Sequence, residues 1–102
     1  MPYFIDATDK PGTKDIRDKT RPEHLVFLDK HIEKLIAVGP KLSDDGQTSL
    51  GSTYIIDVDE RGAAEAFIHA DPFYKAGLFG NVAITRWRKG FFDGKKMPPP
   101  KA

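Results

Sequence analysis

A chain of 102 residues has room for one domain, and a domain of this size buries only about two-thirds of the surface its unfolded chain exposes, so its core is modest and a second copy would help it. Sixteen basic against fifteen acidic residues leave no net field for DNA, RNA or anionic lipid, and the lack of cysteine removes disulfides, thiolate nucleophiles, zinc–cysteine sites and iron–sulfur ligation together. No stretch approaches the roughly 18 apolar residues of a membrane span, and the N-terminus has no basic region followed by an apolar core, so a cytoplasmic setting is expected.

"PYFIDAT", residues 2–8, is aromatic and β-branched and runs into the polar "DKPGTKD", which predicts a strand and then a loop. A helix follows over 20–38. Thr20 and Glu23 have the spacing of a capping box, Pro22 fits the first turn, and Gly39 suits a left-handed end. On a helical wheel His24, Leu25, Phe27, Leu28, His31, Ile32, Leu35, Ile36 and Val38 share one side, so His24 lies within the apolar arc. "VGPKLSD" reads as a short edge strand, because Pro40 cannot donate to a ladder, and "DDGQTSLGS" turns the chain.

"STYIIDV", 52–58, is a stronger strand with Ser52, Tyr54, Ile56 and Val58 on one face and Thr53, Ile55 and Asp57 on the other. Asp59 caps a second helix, 60–70, whose Ala63, Ala66, Phe67 and Ala70 recur at helical spacing. "NVAITRW", 81–87, is the last strand. One domain over 1–90 is expected, with a mobile, polyproline-like C-terminal extension over 91–102.

The order β-α-β-β-α-β is the split motif of the ferredoxin-like α+β fold: two helices on one face of a four-stranded antiparallel sheet. The opposite face would carry Phe4, Thr8, Thr53, Ile55 and Asp57, a half-apolar surface that suits a second copy better than water, so a homodimer is expected. In this topology the start of the first helix, the start of the third strand and the end of the second helix meet at one edge. His24, Ser52 and Asp71 meet there, with the Ser52 hydroxyl aimed at the imidazole.

A histidine with a carboxylate partner is a general acid–base unit, since the carboxylate fixes the tautomer of the ring. Arg17 and Arg21 beside such a pocket are candidates to bind a carboxylate, phosphate or phenolate. Each residue also has a structural reading. His24 can be a core ring, Asp71 a cap for the one-turn helix that Pro72 begins and Gly77 ends, Ser52 a partner for the tight backbone around it, and the arginines solvated charges. His31 reads as core and His69 as exposed. Seven residues separate His24 from His31 with no carboxylate at ligand spacing, so no metal is expected. The element order is shared with RNA-recognition motifs, but the open face of the third strand carries no basic aromatic pattern, so no nucleic acid is expected.

Four stretches in order, "RDKTRPEHLVFL", "VGP", "GS" and "DPFYKAGLF", resemble the YciI-like family across nearly the whole chain: its R-x-x-x-R-x-x-H helix start, its glycine-proline turn, the start of its third strand and its D-P-[FY]-x-x-A-G signature. The resemblance implies a ferredoxin-like dimeric α/β barrel with an active site around a His-Asp pair, here His24 and Asp71. Ser52, Arg17 and Arg21 carry over as substrate-binding residues. It also implies relatives that include a dehydrochlorinase of a hydroxyhydroquinone, muconolactone isomerases and small monooxygenases. The expected function is thus a small enzyme of lyase or isomerase type, with no cofactor, acting on a small anionic substrate, aromatic ones included. The alternative is a non-catalytic module that binds a small ligand or dimerises through the same pocket. The ending "RWRKGFFDGKKMPPPKA" departs from the family pattern.

Overall fold

The computed structural model describes residues 1–99; the last part of the expected extension lies outside the described residues. Alternation of apolar and polar side chains in Tyr3–Asp9 makes β1, with Tyr3, Ile5 and Ala7 buried and the even positions turned the other way. β2 is Leu35–Leu42, β3 Ser49–Ile56 and β4 Phe79–Arg86. They form one antiparallel sheet in the order β2-β3-β1-β4. Two helices, α1 at Lys14–Lys30 and α2 at Arg61–Ala70, and the one-turn α3 at Pro72–Lys75, complete the α+β fold expected from the sequence.

The register sets the core. Val38, Tyr54, Ile5 and Ile84 lie side by side across the four strands and face the helices, where Phe27, Ala64, Phe67, Ile68 and Phe73 pack on them. The next row, Ala37, Ile55, Phe4 and Thr85, looks the other way. Ser52, Tyr54 and Ile56 are therefore helix-facing and Thr53 and Ile55 are not, as alternation along the strand requires. Asp57 falls just beyond β3.

The first helix departs from the expected 20–38 at both ends. It starts six residues early, at Lys14, so Thr20 and Glu23 lie inside it and make no capping box, and Pro22 stands in its interior. It stops at Lys30, followed by a 3₁₀ turn at Ile32–Lys34. Leu35, Ile36 and Val38 are apolar residues that serve a strand as well as a helix, and in β2 they gain ladder partners, Leu35 opposite Ile56 and Val38 opposite Tyr54. Gly39 is accordingly paired with Thr53 and ends no helix.

Smaller corrections concern α2. Asp59 does not cap it; Glu60 holds that position without a side-chain bond, while the Asp59 carboxylate faces the N-terminal amine at 3.4 Å. Its buried face is Ala64, Phe67 and Ile68; Phe67 is buried as expected, but Ala63, Ala66 and Ala70 are exposed, because this orientation buries the two largest apolar side chains of the helix. Gly77, with φ +76°, ends α3 as expected. Beyond β4 the chain forms a small hairpin, β5 at Phe91–Phe92 and β6 at Lys95–Lys96, which the compositional reading of the extension does not contain. No helix among the described residues is long and apolar enough to cross a membrane.

Candidate active site

Asp71 ends α2 and begins α3, and it is fully buried. Its Oδ1 accepts the Phe73 backbone N–H at 2.8 Å, and its Oδ2 accepts the Tyr54 hydroxyl at 2.7 Å. The third group on this carboxylate is Nδ1 of His24, 2.9 Å and 3.0 Å from the two oxygens. A carboxylate only accepts, so Nδ1 carries a hydrogen and donates it. The helix cap and the His-Asp pair, alternative readings of Asp71 in the sequence, are both present in one residue.

That tautomer leaves Nε2 of His24 as the basic nitrogen, and no partner holds it among the described residues. The ring is 6% exposed, stacks on Phe73 with centroids 3.9 Å apart, and meets Tyr54 edge-on at 6.3 Å. Its orientation is fixed by packing on one side and by Asp71 on the other. Burial, the Asp71 charge and the hydrogen bond to Asp71 push the Tyr54 phenol far above its ordinary range, against smaller opposing effects of Ser52 and Arg17. Tyr54 is therefore a standing donor to Asp71.

Arg17 lies seven residues before His24, two turns down the same face of α1. It is 7% exposed and paired with Asp9 through two bonds, Nε to Oδ2 at 2.7 Å and Nη2 to Oδ1 at 3.0 Å. Nη2 also donates to Ser52 Oγ at 3.0 Å, and the guanidinium carbon stands 4.7 Å from the Phe73 ring centre. The hydroxyl of Ser52 is thus held by Arg17 and not aimed at the imidazole, a correction to the expected geometry. The cause is the short reach of serine from β3, which meets the guanidinium first. Arg21, one turn on from Arg17, is exposed at the rim.

Arg17, Arg21, His24, Ser52 and Phe73 line one cavity of about 320 Å³, closed on its apolar side by Leu25, Leu28, Val38 and Pro40. The five residues singled out in the sequence thus converge: His24, Ser52, Arg17 and Arg21 on the cavity, Asp71 behind the histidine. A cleft of about 620 Å³ lies on the far side of Arg17, walled by the Asp9–Lys14 loop and the 47–50 turn, and His24 does not reach it. The histidine faces the smaller space.

Two residues of this cluster are not among the sequence candidates. Asp9 follows the expected end of the first strand, and carrying the odd-numbered alternation of Tyr3, Ile5 and Ala7 one residue further would have turned it toward the helices. Tyr54 is legible as a core residue, but its hydroxyl bond to Asp71 depends on packing that no local pattern encodes. His31 is half-buried just past the end of α1, packed on Phe27 and Phe67 at the margin of the core rather than within it, and His69 is exposed beside Tyr74, as read from the sequence. Among the described residues no three His, Cys, Asp or Glu side chains come together as a metal site needs.

The chain has relatives among known proteins. The YCII-related domain matches residues 1–88. Protein YciI of Escherichia coli is 35% identical over 98 residues, covering 89% of this chain and all of that protein, and an uncharacterised protein of Haemophilus influenzae is 30% identical over 99 residues with the same shares. Among solved structures, the 5-chloro-2-hydroxyhydroquinone dehydrochlorinase TftG of Burkholderia phenoliruptrix, in complex with 2,5-dihydroxybenzoquinone, superimposes with a TM-score of 0.80 at 30% identity, covering 86% of this chain and 94% of that one. On the match of its sequence over nearly nine-tenths of its length, the chain belongs to the YCII-related domain family.

Proposed function

We propose that this protein is a small enzyme of lyase or isomerase type, dehydrochlorinase-like, which works without a cofactor on a small anionic substrate such as a hydroxylated aromatic ring. The observation that carries the reading is the fixed tautomer of His24: Asp71 takes three donors, one of them Nδ1–H, and Nε2 is left free at a cavity of about 320 Å³. In the proposed step Nε2 takes a proton from the substrate, the freed electron pair forms the new double bond, and the leaving group departs with its own pair as an anion. No redox partner enters. An isomerisation differs only in that the imidazolium returns the proton elsewhere. Asp71 stabilises the imidazolium, and Arg21 at the rim with Arg17 behind it draws in and orients negative charge. The bound quinone of TftG supports an aromatic substrate.

The test uses 5-chloro-2-hydroxyhydroquinone as substrate and chloride release as the readout. The wild-type chain is expected to release chloride, and His24→Gln to keep its fold and its affinity for 2,5-dihydroxybenzoquinone while losing about 100-fold or more in turnover, the usual scale for a positioned acid or base. Release that is undiminished in His24→Gln removes the histidine from the mechanism. Tight binding of the quinone with no turnover of any ring substrate assigns the pocket to a ligand-binding module instead.

A further inference from the structure

The hairpin beyond β4 is outside the stretch that matches the family, and the site does not use it. Asp93 and Gly94 both have positive φ, 52° and 72°, as a two-residue type I′ turn requires, and Met97 N–H closes the ladder on the Gly90 carbonyl at 2.8 Å. The turn is well made, yet its faces are bare. Phe91 is 74% exposed and Phe92 36%, with the Lys89 ammonium over the Phe92 ring at 4.8 Å. A lone two-stranded hairpin is marginal in water, so one that presents a phenylalanine to solvent calls for a surface to lie on.

Charge indicates which surface. Residues 86–102 hold six of the sixteen basic residues and one of the fifteen acidic ones, so the rest of the chain is net acidic. Among the described residues Arg88, Lys89, Lys95 and Lys96 take part in no ion pair. The hairpin leaves the sheet beside exposed carboxylates: Arg86 donates to the Asp59 carbonyl at 3.1 Å, and Asp57, Glu60 and Glu33, which form no ion pair among the described residues, are exposed around that end together with Lys34, while Asp59 faces the N-terminal amine and Arg61 is taken up by Glu65. Those carboxylates repel a phosphate polymer lying against the hairpin. They attract the hairpin of a second copy.

We propose that Gly90–Met97 is an exchanged arm, which lies across the acidic end of a second copy of this chain while that copy's arm lies across the first. Area supports this, resting here on the dimer through the open sheet face expected from the sequence. Four strands about 4.8 Å apart and about seven residues long give a footprint of roughly 450 Å² per protomer, well below the roughly 800 Å² per partner of a standard interface. The arms add the missing area and make the contact reciprocal.

Sedimentation of the full-length chain tests the exchange. At low salt, Lys95→Glu/Lys96→Glu and, separately, Asp57→Lys/Glu60→Lys are each expected to raise the dimer dissociation constant about 10-fold, and a 1:1 mixture of the two variants to restore it to within about threefold of wild type. In the mixed dimer the reversed arm meets the reversed end, and the wild-type arm of the other copy meets the wild-type carboxylates. An unchanged dissociation constant in the first variant, or a mixture no tighter than its components, overturns the arm. So does loss of binding to poly(U) or to phosphatidylglycerol vesicles in the first variant with self-association intact. Ile55→Arg separates the two readings: if it alone abolishes association the sheet face stands and the arm falls, and if only the charge variants weaken association the arm stands and the sheet face falls.

Discussion

Tyr54 does not line the cavity, yet through Asp71 it bears on the histidine that does. Its hydroxyl is one of three donors on a buried carboxylate, and removing it in Tyr54→Phe leaves Asp71 with a lone pair that water does not reach, at a cost of about 1–3 kcal/mol. The pH dependence carries a further signature. Because the folded-state phenol is raised above its ordinary value of about 10, its contribution is fully present below pH 10 and is lost as the pH rises above it, when the unfolded chain ionises and the folded one does not. Denaturant titrations at pH 8 to 11 are therefore expected to show the gap between wild type and Tyr54→Phe narrowing above pH 10, by up to about 1.4 kcal/mol per pH unit. A gap that stays constant to pH 11 contradicts the assignment. At this scale the sequence was informative where topology alone fixes position: His24, Ser52 and Asp71 were placed at one edge by element order. It was silent where a side chain's reach decides, as with the Ser52 hydroxyl that turns to Arg17.

At the scale of elements, α1 was the least legible, and Pro22 is the cause. Proline fits the first turn of a helix, so a start at Thr20 looked natural; in the structure the helix begins at Lys14 and runs through Pro22. The gain that holds the early start is tertiary. Only a helix already formed at Arg17 brings its guanidinium to Asp9 of β1, and that bidentate pair is nearly buried on both sides. Pro22 has no N–H to give the Asp18 carbonyl, so Pro22→Ala restores an intrahelical bond. The propensity difference of about 3 kcal/mol is offset by the extra freedom that alanine gives the unfolded chain, about 0.4–1 kcal/mol, and by lost contacts around the proline ring. Pro22→Ala is thus expected to stabilise by about 1–2 kcal/mol and to raise Tm by roughly 4–16 °C in calorimetry. A lower Tm means that the ring's packing outweighs the bond. All four strands are legible to within one to three residues at their ends, because alternation has a period of two that helix propensity cannot imitate; β3 starts three residues and β4 two residues earlier than expected, and the start of β2 is hidden because "LIAV" satisfies both periods.

For the whole molecule the question is what covers the sheet. The helices bury one face, and the other presents Phe4, Thr53 and Ile55, half-buried in the single chain, around an Asp6–Lys41 ion pair of 2.8 Å. Apolar side chains ringing one paired charge describe a surface shaped for contact, since the pair needs no new partner when water leaves and the phenylalanine and isoleucine gain from its leaving. A homodimer closed through this face is the expected assembly. Light scattering at micromolar concentration should then give twice the chain mass of 11.4 kDa, and Ile55→Arg should give the single mass with an unchanged far-ultraviolet circular dichroism spectrum. The arginine would put a further charge into the middle of the interface, a desolvation penalty of several kcal/mol that an interface of this size cannot absorb. A wild-type monomer removes the dimer altogether. A dimer that Ile55→Arg leaves intact shows instead that the copies meet elsewhere, and that Phe4 and Ile55 owe their partial burial to neighbours on their own sheet.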